Sequence, residues 1–85
     1  NYTGHGNSKA AVETVVKYAA HELGEKGIRV NAVSGGPIDT DALKKFPNYD
    51  EVKDEVIKRS PLSRMGMPED LVGICYFLTT EQASW

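Results

Sequence analysis

Ala11 to Leu23 carries apolar residues at Val12, Val15, Val16, Ala19, Ala20 and Leu23, and past Gly27 the chain continues as Ile28-Arg29-Val30-Asn31-Ala32-Val33. The first pattern is one face of a helix held for three turns. The second is short and rich in β-branched residues, bounded by Gly27 before it and by Ser34-Gly35-Gly36-Pro37 after it, which predicts a strand. Ser8 or Asn7 is the expected N-cap of the helix, and Gly27 its expected stop. A helix joined by a tight turn to such a strand is the second half of an α/β crossover, which belongs to a parallel sheet covered on both faces. The expected class is therefore α/β. One strand cannot make that sheet, so the 85 residues are expected to be incomplete as an independent domain.

Beyond the glycines, Asp39 to Phe46 and Tyr49 to Lys58 read as two short helices, the second with Val52, Val56 and Ile57 as a sparse apolar face. Both are highly charged and expected at the periphery. Ser60-Pro61 ends the second. Met67-Pro68-Glu69-Asp70 reads as a helix start, with proline at the first position and acids in the first turn. Leu71, Ile74, Cys75 and Leu78 would line one face of this last helix, which Val72 and Phe77 widen.

Composition removes several classes of function. A net charge of -2 provides no basic field for nucleic acid or anionic lipid. No apolar run reaches the about 18 residues of a membrane-spanning helix. One cysteine and 2 histidines cannot build an ordinary four-ligand structural zinc site without carboxylates, so no metal is expected. A lone Cys75 cannot form an internal disulfide, which fits a reducing cytoplasm. On the apolar face of a helix it is expected to be a buried small hydrophobe rather than a nucleophile. His21 is expected at the surface.

Two short stretches carry candidate chemistry. If the first helix extended back to Tyr2, the seven-residue step to Lys9 would return to nearly the same azimuth, although Gly4 and Gly6 argue against regular helix there. A phenol is a poor acid at neutral pH, and a nearby ammonium favours its ionised form. On spacing alone, an exposed lysine in a first turn and a tyrosine in a loop are the more ordinary explanation. Ser34 to Thr40 sits at the C-terminal end of the expected strand, where open α/β sheets place ligands. Adjacent glycines there admit a flat ring close to the backbone, and exposed amides with the Thr40 hydroxyl could meet an amide or a phosphate. A simple tight turn into a helix explains the same residues.

"SKAAVETVVKYAAHELGEKGIRVNAVSGGPIDTDAL" resembles the short-chain dehydrogenase/reductase superfamily, from its lysine through the following helix and strand to the nicotinamide-contacting loop. "SRMGMPEDLVGICYFLTTEQASW" is similar to the superfamily's later helix and the lead-in to its last strand, so the resemblance covers essentially the whole chain. Most members carry tyrosine four residues before the lysine. Here that position is His5, and Tyr2 stands seven before Lys9, the pattern of the divergent enoyl-acyl carrier protein reductases. "NAVSGGPIDTDALKKFPN" is most similar to their NAD(P)H-dependent type III form.

The resemblance implies the C-terminal part of a Rossmann-like doubly wound parallel sheet: helix, strand, two short lobe helices and a helix within residues 1–85, with 39–60 covering the substrate. It implies reduction of a trans-2-enoyl thioester on acyl carrier protein by NADH or NADPH, in fatty acid biosynthesis. Tyr2 would stabilise the developing enolate oxygen, and Lys9 would hold the nicotinamide ribose. Gly36 and Pro37 would border the cofactor, the Ile38 backbone would bind its carboxamide, and Thr40 would contact carboxamide or phosphate. Ala42, Leu43 and Phe46 would belong to the substrate lobe. Arg64 matches a position that orders the loop before the last helix. A homotetramer is implied, with the Val12 to Leu23 helix in an interface. The superfamily's glycine-rich loop precedes these segments, so the 85 residues alone are expected to be inactive. Two alternatives stay open: a carbonyl-reducing dehydrogenase such as a 3-oxoacyl-acyl carrier protein reductase, with His5 in the tyrosine's usual place, and a non-catalytic helical module.

Overall fold

A computed structural model describes residues 2–85. Four helices follow in order, α1 Thr3–Gly24, α2 Asp41–Lys44, α3 Tyr49–Arg59 and α4 Pro68–Leu78, with a 3₁₀ turn at Glu81–Ala83. The chain divides into two compact units, residues 1–32 with 84–85 and residues 33–83.

In the first unit, α1 is longer than its apolar period. It runs back through Gly4 and Gly6, with Tyr2 as N-cap, so the expected cap at Ser8 or Asn7 is not the one used. The first turn closes through Gly6 N–H donating to the Tyr2 carbonyl at 2.8 Å. The Ser8 hydroxyl, free of the capping role, donates to the Gly4 carbonyl one turn back at 2.9 Å. Each glycine costs about 1 kcal/mol in a helix interior, and the helix runs through both nonetheless. At the other end, Gly27 N–H donates to Gly24 O at 2.9 Å and Ile28 N–H to Leu23 O at 3.2 Å, a Schellman closure. Gly27 takes the left-handed φ of 73° this closure requires.

The expected strand at Ile28 to Val33 does not form, and among the described residues there is no strand at all. A strand is defined by a ladder, and the bridge among the described residues, Ile38 with Gly66, lies outside 28–33. Its β-branched residues express a preference that only a neighbouring backbone can realise. The α/β expectation is thus met here only by helices.

The second unit is organised around a crossing of two loops. Ile38 and Gly66 form an isolated parallel bridge, and Asp39 N–H donates to Gly66 O at 2.8 Å. Between them, α2 begins at Thr40, whose hydroxyl accepts from Leu43 N–H at 3.2 Å, and α3 ends where Ser60 turns extended ahead of Pro61. Asp50 and Glu51 stand in the first turn of α3 and Lys58 and Arg59 in its last, each complementing the helix dipole. Pro68 opens α4 at a position that needs no N–H, as the sequence predicts.

Met65 is the one buried hydrophobic residue among the described residues, 5% exposed. Val12 and Val15 on α1 are 53% and 64% exposed, and Val72, Ile74 and Phe77 on α4 are also open. Cys75, expected to be buried, is exposed: α4 has no described partner over that face, so its apolar spacing does not translate into burial. His21 is at the surface, as expected.

Candidate functional site

Tyr2 and Lys9 both belong to α1. Because the helix is continuous across Gly4 and Gly6, the seven-residue step is about two turns, with an azimuthal difference of roughly 20° and a rise of about 10 Å. The two residues thus stand at nearly one azimuth, Tyr2 as N-cap and Lys9 two turns on. The Tyr2 ring lies alongside Gly6, where an added Cβ would stand 3.7 Å from it. On its other flank the His5 ring is tilted at 56°, with centroids 5.1 Å apart. Tyrosine and histidine, the two candidate donors of the sequence, thus stand side by side at the start of α1.

The second candidate stretch lies in the other unit. Gly36 has φ of 67°, and a Cβ placed there would meet nothing within 4 Å, so the backbone at Gly36-Pro37 is open to a flat group. Gly35 is different: a Cβ there would stand 2.8 Å from the Leu71 side chain and 2.9 Å from Ile38 Cδ1. Its missing side chain is filled by its own neighbours, and only the second glycine leaves an open approach.

Ile38 to Thr40 is held from three directions. Asp39 N–H bonds Gly66 O, as described, and the Asp39 carboxylate accepts from the Tyr49 hydroxyl at 2.9 Å. Lys44 Nζ stands 3.9 Å from the same carboxylate oxygen, whose side chain is 13% exposed. The Thr40 oxygen accepts from Leu43 N–H, which leaves its O–H free to donate to a ligand acceptor. Of the residues expected in a substrate lobe, Ala42 and Leu43 lie in α2, and Phe46 is exposed in the turn after it.

The loop that carries Gly66 is itself clamped. Arg64 donates to both Asp70 carboxylate oxygens, at 2.7 and 2.8 Å, and to the Met65 carbonyl at 2.9 Å. Asp70, third in α4, also accepts from Met67 N–H at 2.7 Å. Arg64 and the Met67 amide hold the Asp70 carboxyl down at about 2, and Asp70 raises Arg64 in turn. Arg64 thus orders the loop before α4, the role the resemblance implies.

Between α3 and these two loops lies a cleft of about 750 Å³, with Ile38, Val52, Val56, Leu62 and Leu71 supplying its apolar wall. No group of three or more His, Cys, Asp or Glu able to hold a metal stands among the described residues, and no helix is long and apolar enough to cross a membrane. Sequence reading missed three participants: Tyr49, Gly66 and Asp70. Only Asp70 had a signal, an acid at the third position of a proline-initiated helix. Tyr49 finds Asp39 across an intervening helix, a pairing with no period in sequence.

The chain belongs to the short-chain dehydrogenase/reductase superfamily, in the family described as Enoyl-(Acyl carrier protein) reductase, which it matches over residues 1–85. It is 46% identical over 81 residues to an uncharacterized oxidoreductase of Mycobacterium tuberculosis, covering 95% of this chain and 32% of that protein. It is 40% identical over 85 residues to the 7alpha-hydroxysteroid dehydrogenase of Escherichia coli K12, covering 100% and 33%. It is also 40% identical over 83 residues to an enoyl-[acyl-carrier-protein] reductase [NADH] of Bacillus cereus, covering 98% and 32%. The chain spans about one third of the length of these curated relatives.

Proposed function

We propose that the protein carrying this chain reduces trans-2-enoyl thioesters of acyl carrier protein with NADH or NADPH, as a step of fatty acid biosynthesis. The observation that carries the reading is the continuity of α1 through Gly4 and Gly6, which sets Tyr2 and Lys9 on one helix face at the seven-residue spacing of enoyl reductases. The nicotinamide supplies hydride to the β-carbon when bound. Tyr2 donates its hydroxyl hydrogen bond to the thioester oxygen as negative charge develops there, a contact worth more in the transition state than in the bound substrate. Lys9 holds the ribose hydroxyls and keeps the site electropositive. The Ile38 backbone takes the carboxamide, Gly36 and Pro37 leave the ring its approach, and Thr40 donates the hydroxyl proton that its capping bond does not use. The residues fit such a cofactor: the Gly36 side is open and the Thr40 donor is spare. α2 and α3, with Ala42, Leu43 and Phe46, form the lobe over the acyl chain, and α1 lies in a homotetramer interface.

A second reading has its own support. His5 stands beside Tyr2 at the superfamily's more usual tyrosine position, and the hydroxysteroid dehydrogenase is as similar to this chain as the enoyl reductase. In that reading the substrate is a carbonyl, and His5 donates the proton. One experiment separates them: NADH and NADPH oxidation by the full-length protein with a crotonyl thioester and with an acetoacetyl thioester, each repeated with Tyr2→Phe. Turnover confined to the crotonyl substrate and cut by about 10²-fold or more in the variant is expected. Turnover on acetoacetyl alone, unchanged by Tyr2→Phe, selects the carbonyl-reducing reading.

A further inference from the structure

Asp39 joins three separate segments of the second unit. Its N–H reaches the loop before α4 through Gly66 O at 2.8 Å, and its carboxylate accepts the hydroxyl of Tyr49, the first residue of α3, at 2.9 Å. Its neighbours in sequence are the two residues to which the proposed function assigns the cofactor carboxamide, Ile38 and Thr40. The Thr40 side chain is fixed to α2 by its own capping bond. These three bonds hold the Ile38–Thr40 turn, and the Tyr49 hydroxyl ties it to α3. A carboxylate that is 13% exposed and accepts a phenol hydrogen bond is a charge-assisted contact with little competition from water. Lys44 at 3.9 Å is shared with exposed Asp41 and adds less direction.

We propose that Tyr49, acting through Asp39, is a positioning residue for nicotinamide binding: its hydroxyl fixes the Ile38–Thr40 turn and couples that turn to α3. The proposal rests on the cofactor reading above. It makes α3 and the cofactor turn move as one piece, so that loosening α3 weakens cofactor binding before any acyl substrate arrives. The bond is needed for binding geometry, and the reacting atoms are untouched.

The test is equilibrium binding of NADH and NADPH to the full-length protein by nucleotide fluorescence, without acyl substrate, alongside steady-state kinetics. Tyr49→Phe and Asp39→Ala are each expected to weaken binding by about threefold to tenfold, and the double variant to weaken it no further than either alone. Asp39→Asn keeps a carbonyl acceptor for the Tyr49 hydroxyl and is expected to restore most of the affinity that Asp39→Ala loses. At saturating cofactor, kcat is expected to stay within about twofold of the unaltered protein, the change appearing in KM for the cofactor. Tyr49→Phe that melts lower but binds the nucleotide with unchanged Kd overturns the proposal, since the bond then serves stability alone. Additive losses in the double variant overturn it too. Failure of the unaltered protein to bind either nucleotide overturns the cofactor reading, and this proposal with it, whereas binding without turnover on enoyl thioesters removes only the substrate assignment.

Discussion

Ile38 Cδ1 occupies the notch left by two missing side chains, and Gly66→Ala tests how tightly that notch is filled. A Cβ on Gly66 would stand 2.6 Å from Ile38 Cδ1 and 3.3 Å from the Pro37 carbonyl oxygen. Carbon–carbon contacts are comfortable at about 3.5–4.0 Å, so Cδ1 must retreat by about 1 Å. Gly35 bounds the same atom, since a Cβ there would lie 2.9 Å from it. Retreat therefore means leaving the staggered well, at about 0.5–1.5 kcal/mol, with the crowded Pro37 carbonyl in addition. A total of about 1–3 kcal/mol is the usual range for overpacking, and about 2 kcal/mol is expected here. Ile38→Val deletes Cδ1 and should cost about 0.5–1.5 kcal/mol alone, near the lower end because Ile38 is only half-buried. Combined with Gly66→Ala it removes the clash, the next Ile38 carbon standing 3.9 Å from the new Cβ. The double variant should then be more stable than the sum of the two losses by about 1 kcal/mol. Urea unfolding of the full-length proteins, with equal m-values, measures this coupling. Losses that add to within about 0.5 kcal/mol would refute the packing argument.

Two other outcomes follow from single contacts. Asp70 is held at about 2, below its ordinary 3.8, so what it contributes to folding is complete above 3.8 and is lost as pH falls through 2. Its carboxyl should titrate near the lower value by NMR and return toward 3.8 in Arg64→Met; a midpoint at 3.8 in the unaltered protein would remove the clamp. At Gly27 an added Cβ meets nothing, so Gly27→Ala costs only the left-handed backbone, about 1–2 kcal/mol by thermal unfolding, and Gly27→Asn less. Equal stability of all three would mean the Schellman closure does not hold.

The local chemistry of the chain was legible because its determinants are neighbours in sequence. The Gly27 stop and the proline start and acidic first turn of α4 lie within one turn of the groups they satisfy, and each forms as the sequence predicts. The start of α1 was misread because two glycines argue against helix locally, and the helix runs through both nonetheless. Lys9 with the helix and the glycine loop that follow it in sequence pointed to the superfamily to which the chain belongs.

Sequence alone determined that the helices form, the Gly27 stop, the Pro68 start and the family, because short-range hydrogen bonds and residue spacing suffice for these. Tertiary structure alone decided which preferences were realised. Ile28 to Val33 has the composition of a strand, yet pairing needs a second backbone in register, and no described bridge involves it. Cys75 has the spacing of a core residue, yet burial needs an opposing surface. The Asp39–Tyr49 bond, the Gly66 bridge and the bidentate Arg64–Asp70 clamp join residues whose approach depends on how loops cross, and no period or propensity encodes that crossing.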